Sequence, residues 1–217
     1  STSPLIADRI EGLFKKSGLT VGKNIPFSGV LLAKMKKGIT VSKVARVSRN
    51  FTDAGIMVHA YLMYGFPTQT SQETVDSLEM VRQLFENGII QSGFWHQFAM
   101  TAHAPVGLDP AAFGVSFSGP EHLGFAKNDL SHEDPLGADH SLFGEGLRVS
   151  LYNYMNGAGF DLALSKWFDF KIPAPSIPPH FILQEIEKNP EKRPNATSQL
   201  IWMGTKPECN VVKKKDL

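Results

Sequence analysis

The stretch Ile56–Ser77, IMVHAYLMYGFPTQTSQETVDS, decides how this chain folds. Its first nine residues, Ile56 to Tyr64, are apolar on both faces except at His59. That pattern predicts a parallel strand covered on both sides, with His59 an interior, hydrogen-bonded group. Gly65-Phe66-Pro67 then predicts a tight turn, because glycine permits close approach to the backbone and proline fixes φ. Thr70 and Glu73 have the spacing of a capping box, in which each side chain satisfies an orphan backbone donor of the other residue. Val75, Leu78, Val81, Leu84 and Phe85 repeat at helical spacing, and Gly88 closes the helix. A second strand, 89–99, follows at once. Strand, helix and strand in this order predict a right-handed βαβ unit and hence an α/β fold. In such folds ligands bind at the carboxyl ends of the strands.

Working outward, Thr40 caps a predicted helix with Val44, Val47, Phe51 and Ala54 inward and Lys43, Arg46 and Arg49 outward, stopped by Gly55. Before it, Ser3 and Pro4 open a helix with an apolar stripe at Leu5, Ile6, Ile10, Leu13 and Phe14, and a short helix spans 30–37. Beyond Met100 periodicity fades. Residues 101–145 are rich in Gly, Pro, His and Phe, and a stretch of this length predicts a functional loop or lid. Phe113, Phe117, Phe125 and Phe143 argue against simple disorder. Helical spacing returns at 145–156 (Leu147, Leu151, Tyr152, Met155) and more weakly at 161–169. Pro178 and Pro179 open a further helix to Lys188, and 198–212 reads as a small hairpin.

Bulk properties narrow the function. The chain has 217 residues, 42% hydrophobic and 20% charged, with a net charge of +1. That balance leaves no basic footprint for nucleic acid or an anionic membrane, and no apolar run reaches the roughly 20 residues of a spanning helix. Cys209 is the single cysteine, which excludes an internal disulfide and points to a cytoplasmic setting. It lacks a histidine close in sequence, so it reads as a packed or surface thiol. His122, His132 and His140 lie among Asp129, Asp134 and Asp139. Their spacing matches no compact motif, which leaves no metal site and makes a loop-histidine metallohydrolase a weak reading. Phe94, Trp95 and Phe98 lack basic interleaving and read as core. His96 and His103 fall at or beyond the end of the second strand, where an imidazole can orient or protonate a substrate.

The Gly65–Thr70 turn after an apolar strand, together with the upstream run KKGITVSKVARV (Lys36–Val47), resembles the GxPxET strand of radical S-adenosylmethionine enzymes. The resemblance is strongest to members that carry an upstream cobalamin-binding domain, and it covers residues 28–115. It implies that residues 1–100 are the carboxyl-terminal part of a partial (β/α) barrel, and that 101–217 are an accessory or lid region. By resemblance Met63 packs on the adenine of S-adenosylmethionine, Gly65 and Pro67 form the turn, and Gln69 stands where the family usually has glutamate. Tyr61, His96, Gln97 and His103 fall on the substrate side. The family holds a 4Fe-4S cluster on a CxxxCxxC triplet and generates a 5'-deoxyadenosyl radical that abstracts a substrate hydrogen. This chain has no such triplet, and its segment Phe27–Leu32 lacks the glutamate that contacts the ribose. The resemblance therefore implies a fragment, inactive alone, with no cofactor of its own. Its partner would be the missing amino-terminal half of the barrel, which would bring the cluster, S-adenosylmethionine, in some members cobalamin, and a small-molecule substrate. The alternative is a binding or interaction module that keeps the scaffold without a cofactor.

Overall fold

A computed structural model describes residues 39–119 and 128–187. The expected helices before residue 39 and the expected hairpin at 198–212 lie outside these. Helix α1 (Val41–Asp53) starts at the Thr40 cap, whose hydroxyl accepts the Lys43 N–H at 3.2 Å. Its buried stripe is Val41, Val44, Ala45 and Ser48, the i, i+3, i+4, i+7 set of one helix face, with Ser42 buried beside it. Val47 and Phe51 are only half-buried and Ala54 is exposed, so the inward face lies nearer the helix start than the sequence suggests. The Ser42 hydroxyl donates to the Glu185 carbonyl at 2.8 Å and ties α1 to the carboxyl-terminal helix of the described residues, α5 (Phe181–Glu187).

Strands β1 (His59–Tyr64) and β2 (Ser92–Gln97) are parallel, with His59 opposite Ser92 and Tyr64 opposite Gln97. The helix between them, α2 (Ser71–Glu86), has the expected capping box. Both strands start three residues later than the apolar runs suggest. Residues 56–58 and 89–91 are lead-ins, held where the Gln91 side-chain oxygen accepts the Val58 N–H at 2.8 Å and the Gln91 N–H donates to the Val58 carbonyl at 3.2 Å. Among the described residues no third strand joins this sheet, so they form a small parallel pair and no barrel.

Side chains alternate across the pair. Ala60, Leu62, Tyr64 and Trp95 face the main core with Val75, Leu78, Val81 and Leu84 of α2. Helix α4 (Gly144–Met155) packs there through Leu147, Leu151 and Tyr154. Each fully buried aliphatic side chain contributes about 1.5–3 kcal/mol. Tyr152, expected on the buried face, is 63% exposed, and Tyr154 takes that place because 147, 151 and 154 share a stripe. The core reaches on to Ile182 and so draws on both sides of residue 100.

The opposite sheet face departs from expectation. His59 is exposed, with Nδ1 2.7 Å from the Ser92 hydroxyl, and Tyr61 and Phe94 are 38% and 53% exposed. Strand alternation splits the aromatic trio: Trp95 enters the core while Phe94 leaves it. Only Met63, at the carboxyl end, is covered on this side.

Residues 101–119 and 128–143 are ordered by short elements. Strand β3 (Met100–Thr101) pairs antiparallel with β5 (Asp129–Leu130), and β4 (Ser116–Phe117) pairs with β6 (His132–Glu133). Helix α3 (Pro105–Leu108) and 3-10 turns at Ala111–Phe113 and His140–Leu142 fill the intervals. The predicted helix at 161–169 is a 3-10 turn, Leu164–Trp167.

The capping box sets the first prediction. Thr70→Ala removes the acceptor of the Glu73 N–H and should lower stability by about 1 kcal/mol. Urea unfolding followed by circular dichroism measures it, and Thr70→Ser should restore most of the loss.

Candidate functional site at the carboxyl end of the sheet

The turn after β1 is built around Gln69. This side chain is fully buried, and its oxygen accepts the Gly65 N–H at 2.7 Å and the Phe66 N–H at 3.1 Å. These two donors lie just past the end of the β1 ladder, where burial would otherwise leave them orphaned. Gly65 has φ +78°, a left-handed conformation that glycine adopts without cost. Thr68, at φ 65°, holds the same region against its preference. Its N–H donates at 2.7 Å to the Asp134 carboxylate, whose other oxygen accepts the N–H groups of Leu136 and Gly137.

The segment from Asp134 to Phe143 therefore straps over the turn. The Gln69 carbonyl accepts the Ala138 N–H at 2.9 Å and lies 3.0 Å from His140 Nε2. A carbonyl only accepts, so Nε2 carries the proton and Nδ1 is the bare nitrogen of the ring. Buried Nδ1 has no hydrogen-bond partner among the described residues. Burial pushes the His140 pKa below its ordinary value, against the pull of the Gln69 carbonyl and of Asp134, Asp139 and Glu73. The ring also packs edge-on to Tyr64 at 6.4 Å, and burial raises the pKa of that phenol.

A second apolar cluster closes the other side of the turn. Met63, Phe66, Met100, Val106 and Val115 are buried together, flanked by Phe98 and Phe113. Phe66 meets Phe98 and Phe113 edge-on at 5.2 and 6.2 Å. Part of the 101–145 region thus folds over the carboxyl end and buries aromatic surface there, as a lid would. Outside this cluster an open groove of about 860 Å³ runs between Pro67, Thr68, Pro105, Asp109, Phe113 and Leu136.

The sequence-selected residues fall into three places. Met63, Gly65 and Gln69 lie within the closed turn. A Cβ on Gly65 would sit 3.4 Å from Gln97 Cγ and from the His140 ring, so the chain itself occupies the space expected for close ligand approach. Pro67 borders the groove. Tyr61 and His96 stack at 5.8 Å on the open sheet face, where His96 also meets Phe94 at 4.5 Å. His103 is exposed on the turn leading into α3. Sequence reasoning passed over Asp134 and His140 as turn and closure residues, and over Asp109 as a groove residue. The signal for Asp134 is local: an aspartate three residues before glycine forms a side-chain-stabilised turn.

Among the described residues no three metal-ligating side chains converge, and no helix is long and apolar enough to cross a membrane. No family model matches the chain, and comparison with curated proteins and with solved structures finds no similar one.

Two outcomes test this geometry. Gln69→Ala leaves the Gly65 and Phe66 N–H groups buried without partners and opens a cavity, and should cost about 2–4 kcal/mol in urea unfolding. For His140, whose folded pKa is depressed, the unfolded state takes up the proton first as acidity rises. Its contribution is complete above the unfolded value of 6.5 and is lost as pH falls toward the lower folded value. His140→Gln keeps a neutral donor for the Gln69 carbonyl. The wild-type urea midpoint should therefore drop more than that of His140→Gln between about pH 7.5 and about pH 5.5.

Proposed function

We propose that this chain is the carboxyl-terminal part of a radical S-adenosylmethionine enzyme, a wedge of a (β/α) barrel with its covering region. The observation that carries the reading is the asymmetry of the parallel pair. Helices α2 and α4 cover one face, while among the described residues Tyr61 and Phe94 stay exposed on the other, with His96 half-buried against their rings. A barrel has its helices outside and its inward strand faces at the centre, so a wedge cut from one shows this pattern. The Gly-x-Pro turn at the carboxyl end of β1 adds the family's local signature.

The residues present do not fit an iron-sulfur cluster, because one cysteine cannot supply three thiolates. In this reading the cluster and its radical chemistry would belong to a segment outside residues 1–217. This chain would supply the Tyr61–His96 face toward a substrate, and the 101–143 region would keep water from the strand ends.

One observation favours a second reading, a cofactor-free binding module. Met63, Gly65 and Gln69 are closed in by Phe66, His140 and Gln97 instead of opening to a ligand.

The coding sequence immediately upstream of Ser1 separates the two. The enzyme reading expects CxxxCxxC in the same frame. It also expects that the extended polypeptide, prepared anaerobically, takes up iron and sulfide and forms 5'-deoxyadenosine from S-adenosylmethionine. An upstream stop codon, or an extended protein that binds no iron, leaves the binding module standing. The chain as given, incubated with iron and sulfide, should gain no thiolate-to-iron absorption band in either case.

A further inference from the structure

We infer that the groove beside Pro67 binds a small organic cation, an apolar body that ends in an ammonium group. The inference rests on the groove alone and stands whether or not the enzyme reading does. The volume of about 860 Å³ is that of a small-molecule site. Its position, just past the carboxyl end of a parallel strand, is where α/β folds place ligands.

The walls define the body of the ligand. Pro67 and Pro105 are rigid, Phe113 offers an aromatic ring, and Leu136 stands 68% exposed at the rim. A large aliphatic side chain kept in water beside a proline-lined groove gains by covering it with apolar ligand surface. The groove is also preformed. Asp134 pins Thr68 on one wall and Leu136 on the other, at 2.7 and 3.2 Å. Gly114, at φ +73°, lies so close that an added Cβ would be 3.0 Å from the Thr68 methyl.

Charge defines the other end. Asp109 is the groove's one ionisable wall residue, exposed, with one carboxylate oxygen accepting the Ala112 N–H at 3.2 Å. That bond fixes the carboxylate at the head of the 3-10 turn. Asp134, whose carboxylate holds the backbone of Thr68 and Leu136 on the two walls, adds a second charge of the same sign. A cleft with one sign of charge concentrates ligands of the other. The Phe113 ring can further favour a cation over its face. An anionic or neutral ligand of the same shape gains the apolar contact without these terms.

Titration of the full chain with phenylpropylammonium tests the inference, with phenylpropanol and phenylpropanoate as neutral and anionic matches. Nuclear magnetic resonance reads the Gly114 amide and the Leu136 methyl groups. The cation should shift both saturably, roughly tenfold more tightly than the alcohol, and the carboxylate should bind weakest. Added salt should weaken the cation and spare the alcohol. Asp109→Asn keeps the shape and should erase the preference, and Ala112→Trp should block all three probes while signals from the Leu62–Leu84 core stay in place. Equal binding of alcohol and ammonium, no saturable shift with any probe, or shifts confined to Tyr61 and Phe94 would each overturn the inference.

Discussion

The structure at the end of β1 depends on Gln69 folding back onto its own turn. A strand that stops beneath a covering segment leaves backbone donors with no ladder partner, and burying them unpaired is costly. The Gln69 side chain takes two of them, from Gly65 and Phe66, and the Gln69 carbonyl then receives Ala138 and His140. One residue thus closes the turn and anchors the strap across it. Glutamate could make the same acceptor contacts, but at a fully buried position its charge would need desolvation against nearby Asp134. The neutral amide avoids that charge, while its Nε2 is buried with no hydrogen-bond partner among the described residues.

The closure of that end contrasts with the open sheet face. A two-stranded sheet has little stability alone, and a parallel pair is ordinarily covered on both sides. Here the helices on one side supply the stability through a core that continues to Ile182. The connector after the 3-10 turn at Leu164–Trp167 is fastened to α2, where the Asp76 carboxylate accepts the Ser176 N–H and hydroxyl at 2.7 and 2.6 Å. Gln83 reaches the same region by donating to the Pro178 carbonyl and accepting the Ile182 N–H. The covered side is therefore locked at several points, by exposed hydrogen bonds at Asp76 and by half-buried and buried ones at Gln83. The open side is left with rings that touch one another: His59, Tyr61, His96 and Phe94 form a chain of contacts at 4.5–5.8 Å.

The parallel pair, its crossing helix and the Thr70 cap were legible in the sequence because each is a local pattern. Period, cap spacing and a glycine stop all lie within a few residues of one another. Burial of individual strand faces was not legible, since Ile56–Tyr64 is apolar on both faces apart from His59 and says nothing about which side receives a helix. His59 shows the limit: an apolar context suggests an interior group, but its exposure is decided by where α2 and α4 pack. The described part of the covering region was legible only as a lid in outline. Its order comes from pairings such as Thr101 with Asp129 and Phe117 with His132, which join residues distant in sequence and carry no period. His140 was visible as a loop histidine, while its function as a neutral donor to Gln69 needs contact across 71 positions.

The open sheet face and the groove are separated by the cluster of Met63, Phe66, Met100, Val106 and Val115. Met63 projects from the same strand face as Tyr61, since the two are two residues apart on β1. Phe66 belongs to the same cluster and borders the groove. The cluster is therefore a wall, with stacked rings on one side and a proline-lined groove on the other. Interiors packed to crystal density transmit displacement instead of absorbing it. A ligand that moved Phe113 in the groove would press on Phe66, and through it on Met63 and the base of the open face. The contacts from Phe113 through Phe66 to Met63 lie within one apolar cluster and involve no charged group.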